Sequence, residues 1–240
     1  ILPPWAQVGG VEALCARLDD AKERARMRED IEHGGGWENQ IVSCGGLDGI
    51  LIIYAPATPE VQGKTVAAAA KERGGDPLEF AFDVIKANRG AATACYFALC
   101  EDDVKYVMRH PLVMVGSDGI PTPPSAQPHP RMNGTFPRVL GHYSRDEKVM
   151  PLEEAVRKMT GFPAARLKLT SKGQIAVGKD ADLVIFDPAT IIDRATYTDS
   201  ELPPTGIDYV FVNGVKVMDH GEYTGERPGR LLRRPRRLRR

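Results

Sequence analysis

The chain has 240 residues, 42% hydrophobic and 27% charged, a globular composition that suits one large or two modest domains and excludes a disordered or collagen-like chain. Its formal charge of zero averages unlike parts: residues 230 to 240 hold seven arginines and no acid, which leaves 25 basic against 32 acidic groups, or −7, elsewhere. No apolar run approaches the roughly 20 residues of a membrane-spanning helix. The four cysteines, Cys15, Cys44, Cys95 and Cys100, form no CxxC pair, so a soluble protein with reduced thiols in a cytoplasm is expected. The start at Ile1, with no initiator Met or leader, reads as a truncation point.

In chain order, the spacing of Val11, Leu14, Leu18, Ala25 and Met27 predicts one amphipathic helix from Val11 to Glu32, stopped by Gly34-Gly35-Gly36. Asn39 to Cys44 and Ile50 to Tyr54 read as short strands around a glycine-rich turn. Helices follow over Thr65 to Arg73 and Pro77 to Ala87, the second with Asp76 as its N-cap and Pro77 at its first position. Ala92 to Leu99, Glu101 to Arg109 and Leu112 to Gly116 then alternate strand, helix, strand, and the apolar strands predict a parallel unit buried on both faces. Residues 120 to 150 form a Pro- and Gly-bearing segment too long for a neutral connection, and therefore functional. A helix opened by Pro151 and closed at Gly161 carries Glu153/Arg157 and Glu154/Lys158, both in the favourable i,i+4 order. Past residue 170 the texture turns to short strands, with Tyr209 to Asn213 and Val215 to Met218 joined through Asn213-Gly214, a hairpin signal because both turn residues need positive φ. The arginines after Pro228-Gly229 lack interleaved aromatics and read as a solvated tail rather than a nucleic-acid site.

The segment that carries chemistry is Leu112-Val113-Met114-Val115-Gly116-Ser117-Asp118-Gly119, an apolar run that delivers an acid at its end. On a barrel strand, that end is where catalytic groups sit; taken alone, Ser-Asp-Gly is also an ordinary turn. Of the five histidines, His33 and His110 lie at helix ends and His220 lies in a turn, and no HxH or HExxH spacing occurs. Cys44 reads as a structural thiol.

Two further stretches set the context. Lys172-Gly173-Gln174-Ile175 through Gly178-Lys179-Asp180-Ala181-Asp182-Leu183-Val184-Ile185-Phe186-Asp187 resembles the entry to the small β-subdomain of amidohydrolases. His129-Pro130-Arg131 with Gly134-Thr135-Phe136-Pro137-Arg138-Val139-Leu140-Gly141-His142-Tyr143 resembles the N-acyl-D-amino-acid deacylase (D-aminoacylase) family, as do Trp37-Glu38-Asn39 with Ser43, Glu101-Asp102-Asp103-Val104, and Gly225 to Arg230. The resemblance runs from about residue 2 to 232.

It implies the C-terminal part of a metal-dependent (β/α)8 TIM barrel in residues 1–170, with a substrate-covering insertion at about 35–90, then a β-sandwich subdomain in 171–230 and an arginine-rich tail in 231–240. It implies zinc, one or two ions, with Asp118 as the catalytic acid–base and as one metal ligand, the other ligands lying before Ile1. Arg131 would hold the substrate's α-carboxylate, Ser43 would make a second contact, and His129 would fix the loop beside the substrate. The implied reaction is hydrolysis of the linear amide of an N-acyl-D-amino acid, with the missing N-terminal half or a second copy as partner, and the segment alone inactive. Competing readings are a cyclic-amide hydrolase of the hydantoinase or dihydroorotase kind, and an inactive structural or interaction unit.

Overall fold

The computed structural model describes residues 1–120 and 128–232, which divide into two units, one Ile1–Cys100 and the other residues 101–120 with 129–232. The first unit contains α1 (Gly10–Asp19), α2 (Ala21–Glu32), α3 (Gln40–Ser43), β1 (Ile50–Tyr54), α4 (Val66–Arg73), α5 (Pro77–Ala87) and β2 (Thr93–Tyr96). Helix α5 is nucleated as its sequence dictates: Oδ1 of Asp76 accepts from the backbone N–H groups of Leu78 and Glu79, both at 2.9 Å, and Pro77 loses no bond at the first position. The helix buries Leu78, Phe80, Ala81, Phe82 and Val84. Phe82 joins Leu14, Leu18, Met27 and Ile31 of α1 and α2 in one cluster; Phe80 and Val84 join Ile50 and Ile52 of β1 and Val66 of α4 in another. Arg24 and Arg28 of α2 bind Asp76, Glu79 and Asp83 around α5, and Arg28 together with the capped amides holds the Asp76 carboxyl below its ordinary range. Trp5 donates from its indole nitrogen to Asp30, with Arg26 stacked 4.0 Å over the ring.

Two expected elements differ here, both for capping reasons. The helix expected over Val11 to Glu32 breaks at Asp20, whose carboxylate caps a new helix by accepting from Lys22 N–H at 2.7 Å. Asn39 to Cys44 is helical rather than extended, because the Asn39 side chain accepts from Ile41 N–H and donates to the Ile31 carbonyl.

The second unit contains α6 (Glu101–Arg109), α7 (Arg131–Arg138), a π-helix (Val139–Asp146), α8 (Leu152–Met159), α9 (Gly161–Leu167), and then β3 (Leu183–Phe186), β4 (Ile207–Val212), β5 (Val215–Asp219) and β6 (Glu222–Tyr223). Its core gathers Val139, Leu140 and Tyr143 of the π-helix, Val149, Met150, Ala155 of α8 and Ile191, flanked by Val104, Met108, Val115, Phe186 and Ile207. Strands β3 to β6 form an antiparallel meander in sequence order, and the β4–β5 turn has the two positive φ values that Asn213-Gly214 predicts, 48° and 79°.

Helix and sheet content is mixed, as expected, but the strand, helix, strand alternation stops after α6, and neither a barrel segment nor a sandwich forms among the described residues. All ladders there are antiparallel: β2 pairs with β1 instead of with residues 112–116, which belong to no ladder. The reason lies in Val115, whose N–H donates to the Lys158 carbonyl at 3.1 Å, so that this segment docks on α8 rather than on a strand. Among the described residues the meander is the one sheet of its unit, and none of its strand residues is buried. Of the segment 120–150, residues 121–127 lie outside the described residues, as do residues 233–240 of the arginine tail. No described helix is long and apolar enough to cross a membrane.

Because Phe82 is fully buried where α1, α2 and α5 meet, Phe82→Ala is expected to cost about 3–5 kcal/mol of the first unit's stability. Urea unfolding followed by circular dichroism measures this; a loss under 1 kcal/mol would mean the cluster collapses around the gap.

Candidate active site

Asp118 lies in the turn Ser117-Asp118-Gly119 with φ of 48°, a left-handed conformation that a short polar side chain tolerates. The turn is closed by Gly119 N–H donating to the Ser117 hydroxyl at 3.2 Å. Gly119 packs on the first turn of α7, where a Cβ would stand 3.1 Å from Met132 Sδ and 3.2 Å from Met132 Cα. That approach places Asp118 Oδ2 2.9 Å from Nη2 of Arg131, the first residue of α7. The aspartate side chain is 78% exposed and the arginine 38%, so the pair is reachable from solvent. Arg131 Nε is buried and finds no hydrogen-bond partner among the described residues, so the fork is only partly used.

His129 fixes the entry to α7. Its Nδ1 accepts from Arg131 N–H at 3.0 Å while its carbonyl accepts from Met132 N–H at 2.9 Å, replacing the cap that Pro130 has no side-chain group to provide. An accepting Nδ1 requires the tautomer protonated at Nε2. Burial first, then Arg131, holds the imidazole below its ordinary 6.5, with Asp118 opposing. Tyr197 meets the ring edge-on at 5.2 Å. Gly134 lets α7 close on Asp193, where a Cβ would stand 3.1 Å from the Asp193 Cβ, and Asp193 also accepts from Arg138 at 3.3 Å.

The structure thus assembles Asp118, His129 and Arg131, while Ser43 belongs to the first unit and its exposed hydroxyl donates to the Asn39 carbonyl at 3.2 Å. Tyr197, against His129, and Asp193, against Gly134, pack beside the assembly without any motif of their own. Cys44 is half-buried, and burial pushes its thiol up.

A model of the amidohydrolase family matches residues 2–218. The chain belongs to that family. It is 44% identical to the D-aminoacylase of Alcaligenes xylosoxydans xylosoxydans over 77% of this chain and 37% of the relative. It is 42% identical to the N-acyl-D-glutamate deacylase of the same organism over 78% and 37%. The crystal structure of the N-acyl-D-glutamate deacylase from Bordetella bronchiseptica, complexed with zinc and a phosphonate mimic of the tetrahedral intermediate, matches with a TM-score of 0.63 at 41% identity, covering 73% of this chain and 36% of that one. The chain therefore spans a little over a third of the length of these amidohydrolases.

Zinc in that relative raises the question of donors here. No three His, Cys, Asp or Glu side chains converge among the described residues, and the one carboxylate at the site is held by Arg131. A catalytic zinc takes three protein ligands. By themselves, the described residues do not fit a metal.

The lowered His129 gives the site a pH signature. The unfolded chain takes up this proton more readily than the folded one, so the stability that a neutral His129 contributes is full above 6.5 and is lost as pH falls through the lower folded value. His129→Gln should flatten this part of the stability-versus-pH curve, as read by urea unfolding across mildly acidic pH. An unchanged slope would place the imidazole in solvent.

Proposed function

We propose that this chain is part of an N-acyl-D-amino-acid deacylase, the part that supplies the proton-transferring carboxylate and the arginine that holds the substrate's α-carboxylate. One observation carries this reading: Asp118 and Arg131 are in direct contact, 2.9 Å apart. In an N-acyl amino acid the scissile amide nitrogen and the carboxylate hang on the same carbon. A base for the amide and a fork for the carboxylate must then be neighbours, whereas a cyclic diamide without a free carboxylate would not require the fork. The reading also draws on the relatives named above, which are deacylases of linear N-acyl-D-amino acids by name.

In the proposed reaction the substrate carboxylate takes the place of Asp118 on the Arg131 guanidinium, whose planar donors suit a bidentate pair. Asp118, released, accepts a proton from the attacking water as it adds to the amide carbon. The same carboxyl then delivers that proton to the departing nitrogen as the C–N bond breaks, giving a carboxylate and a free D-amino acid. His129 holds Arg131 in place through the α7 entry, and Ser43 is assigned a second contact to the carboxylate.

The complete protein is read as a zinc enzyme whose other donors come from the length of its relatives that this chain does not span. In that protein residues 1–170 would complete a (β/α)8 barrel with the insertion at about 35–90 over the substrate, residues 171–230 would join a β-sandwich, and 231–240 would form a tail. The missing half or a second copy is the proposed partner, and four cysteines outside any disulfide favour a cytoplasmic setting.

In the complete enzyme, Asp118→Asn should lower kcat on an N-acetyl-D-amino acid by about 10⁴-fold or more, because one carboxyl serves twice, with little change in KM. Near wild-type turnover would sink the assignment. Arg131→Lys should mainly raise KM, and a substrate without the α-carboxylate should be indifferent to it; equal losses on both substrates would make Arg131 a structural residue. The 240-residue chain alone should show no turnover even with added zinc, and chelator-sensitive turnover by it would place the donors within this chain.

A further inference from the structure

We infer that Lys158 is the positioning residue for Asp118, an inference that rests on the role proposed above for Asp118. Lys158, near the end of α8, is fully buried, and its ammonium sits among backbone carbonyls rather than on a carboxylate. Nζ donates to the His110 carbonyl at 2.5 Å and to the Val113 carbonyl at 3.0 Å, while the nearest acid, Glu154, stands 4.0 Å away. A buried ammonium without a close counter-ion is unfavourable unless its donors are all spent, so a chain needing only packing here would be served better by Met or Leu.

The location of those carbonyls gives the lysine its purpose. His110 and Val113 close one turn, Val113 N–H donating to the His110 carbonyl at 3.1 Å, and this turn is the root of the arm Met114 to Asp118. The ammonium bridges both ends of the turn. The same stretch of α8 makes two more bonds to the arm's root: the Lys158 carbonyl accepts from Val115 N–H at 3.1 Å, and Arg157 Nη2 donates to the Pro111 carbonyl at 3.3 Å. In this structure the arm has no strand ladder, so α8 does for it what neighbouring strands do elsewhere. Beyond Val115 the next fixed point is Gly119 against Met132. Lys158 therefore sets where the arm leaves the core and, through it, where the Asp118 carboxyl arrives.

The test combines a readout on this chain with one on the complete enzyme. Lys158→Met keeps the length and apolar stem and removes the donors; Lys158→Gln, which keeps one donor, stands in if the first does not fold. Amide hydrogen exchange should accelerate about tenfold or more at Leu112, Val113 and Val115, whose N–H groups are bonded at the arm's root, and stay near wild type in α6 and at the π-helix. In the complete enzyme Lys158→Met should lower kcat by about 10²-fold with KM nearly unchanged, the usual cost of misplacing a reacting group by about 1 Å. Added to Asp118→Asn, it should cost almost nothing further, because the group it positions is already gone. Unchanged exchange at Leu112, Val113 and Val115, acceleration spread evenly over the unit, or the same loss in both backgrounds would each overturn the inference. Full activity of Asp118→Asn by itself would instead overturn the role given to Asp118, and the exchange result would still decide whether Lys158 holds the arm.

Discussion

The contact between Gly119 and Met132 governs the geometry of the site. Two backbone segments remote in sequence meet with only hydrogen on one side, and a methyl group there would lie within 3.2 Å of the Met132 backbone. The turn at 117–119 cannot move away from α7 without losing this packing, nor carry a side chain without being pushed off. With that separation set, the left-handed Asp118 has one direction in which to project, toward the Arg131 fork. The ion pair is a consequence of backbone packing more than its cause, since a pair this exposed contributes only about 0–1 kcal/mol.

What holds the two segments is the core of the second unit. The π-helix follows directly on α7 and sends Val139, Leu140 and Tyr143 inward against α8 and Ile191. Wider helical turns are frequent beside functional sites, and here the widened stretch fixes the far end of the helix whose first residue is Arg131. Tyr143 ties this region to Glu101 at the start of α6 and to Arg138, and burial pushes its phenol up. The arm bearing Asp118, through Val115, and the helix bearing Arg131, through the π-helix, are thus both rooted in one apolar cluster.

Local rules in the sequence were enough for those elements whose determinants are local. The α5 boundary followed from Asp76 and Pro77, and the β4–β5 turn from Asn213-Gly214. Asp118, His129 and Arg131 were legible as a group through motif resemblance, not through periodicity. Where periodicity misled, a side chain had a better local option: Asp20 and Asn39 each cap a helix that the apolar pattern does not register. The apolar run 112–116 reads as a strand because it is continuously apolar, but strand identity depends on a ladder partner that pattern cannot supply. Lys158 was hidden for a similar reason. At i,i+4 from Glu154 it reads as a surface ion pair, and nothing local signals that its stem points into the core.

The placement of the aromatic residues has a practical consequence. Both tryptophans of the chain, Trp5 and Trp37, belong to the first unit, one hydrogen-bonded to Asp30 and both packed on the cluster around Leu18 and Phe82. Tryptophan emission from this chain is therefore a report on Ile1–Cys100, and the proposed ligand capture by the Asp118–Arg131 pair would occur in the unit without an indole. An optical probe of that event must be installed, and Tyr197, which already meets the His129 ring edge-on, marks where a fluorescent side chain would sense it.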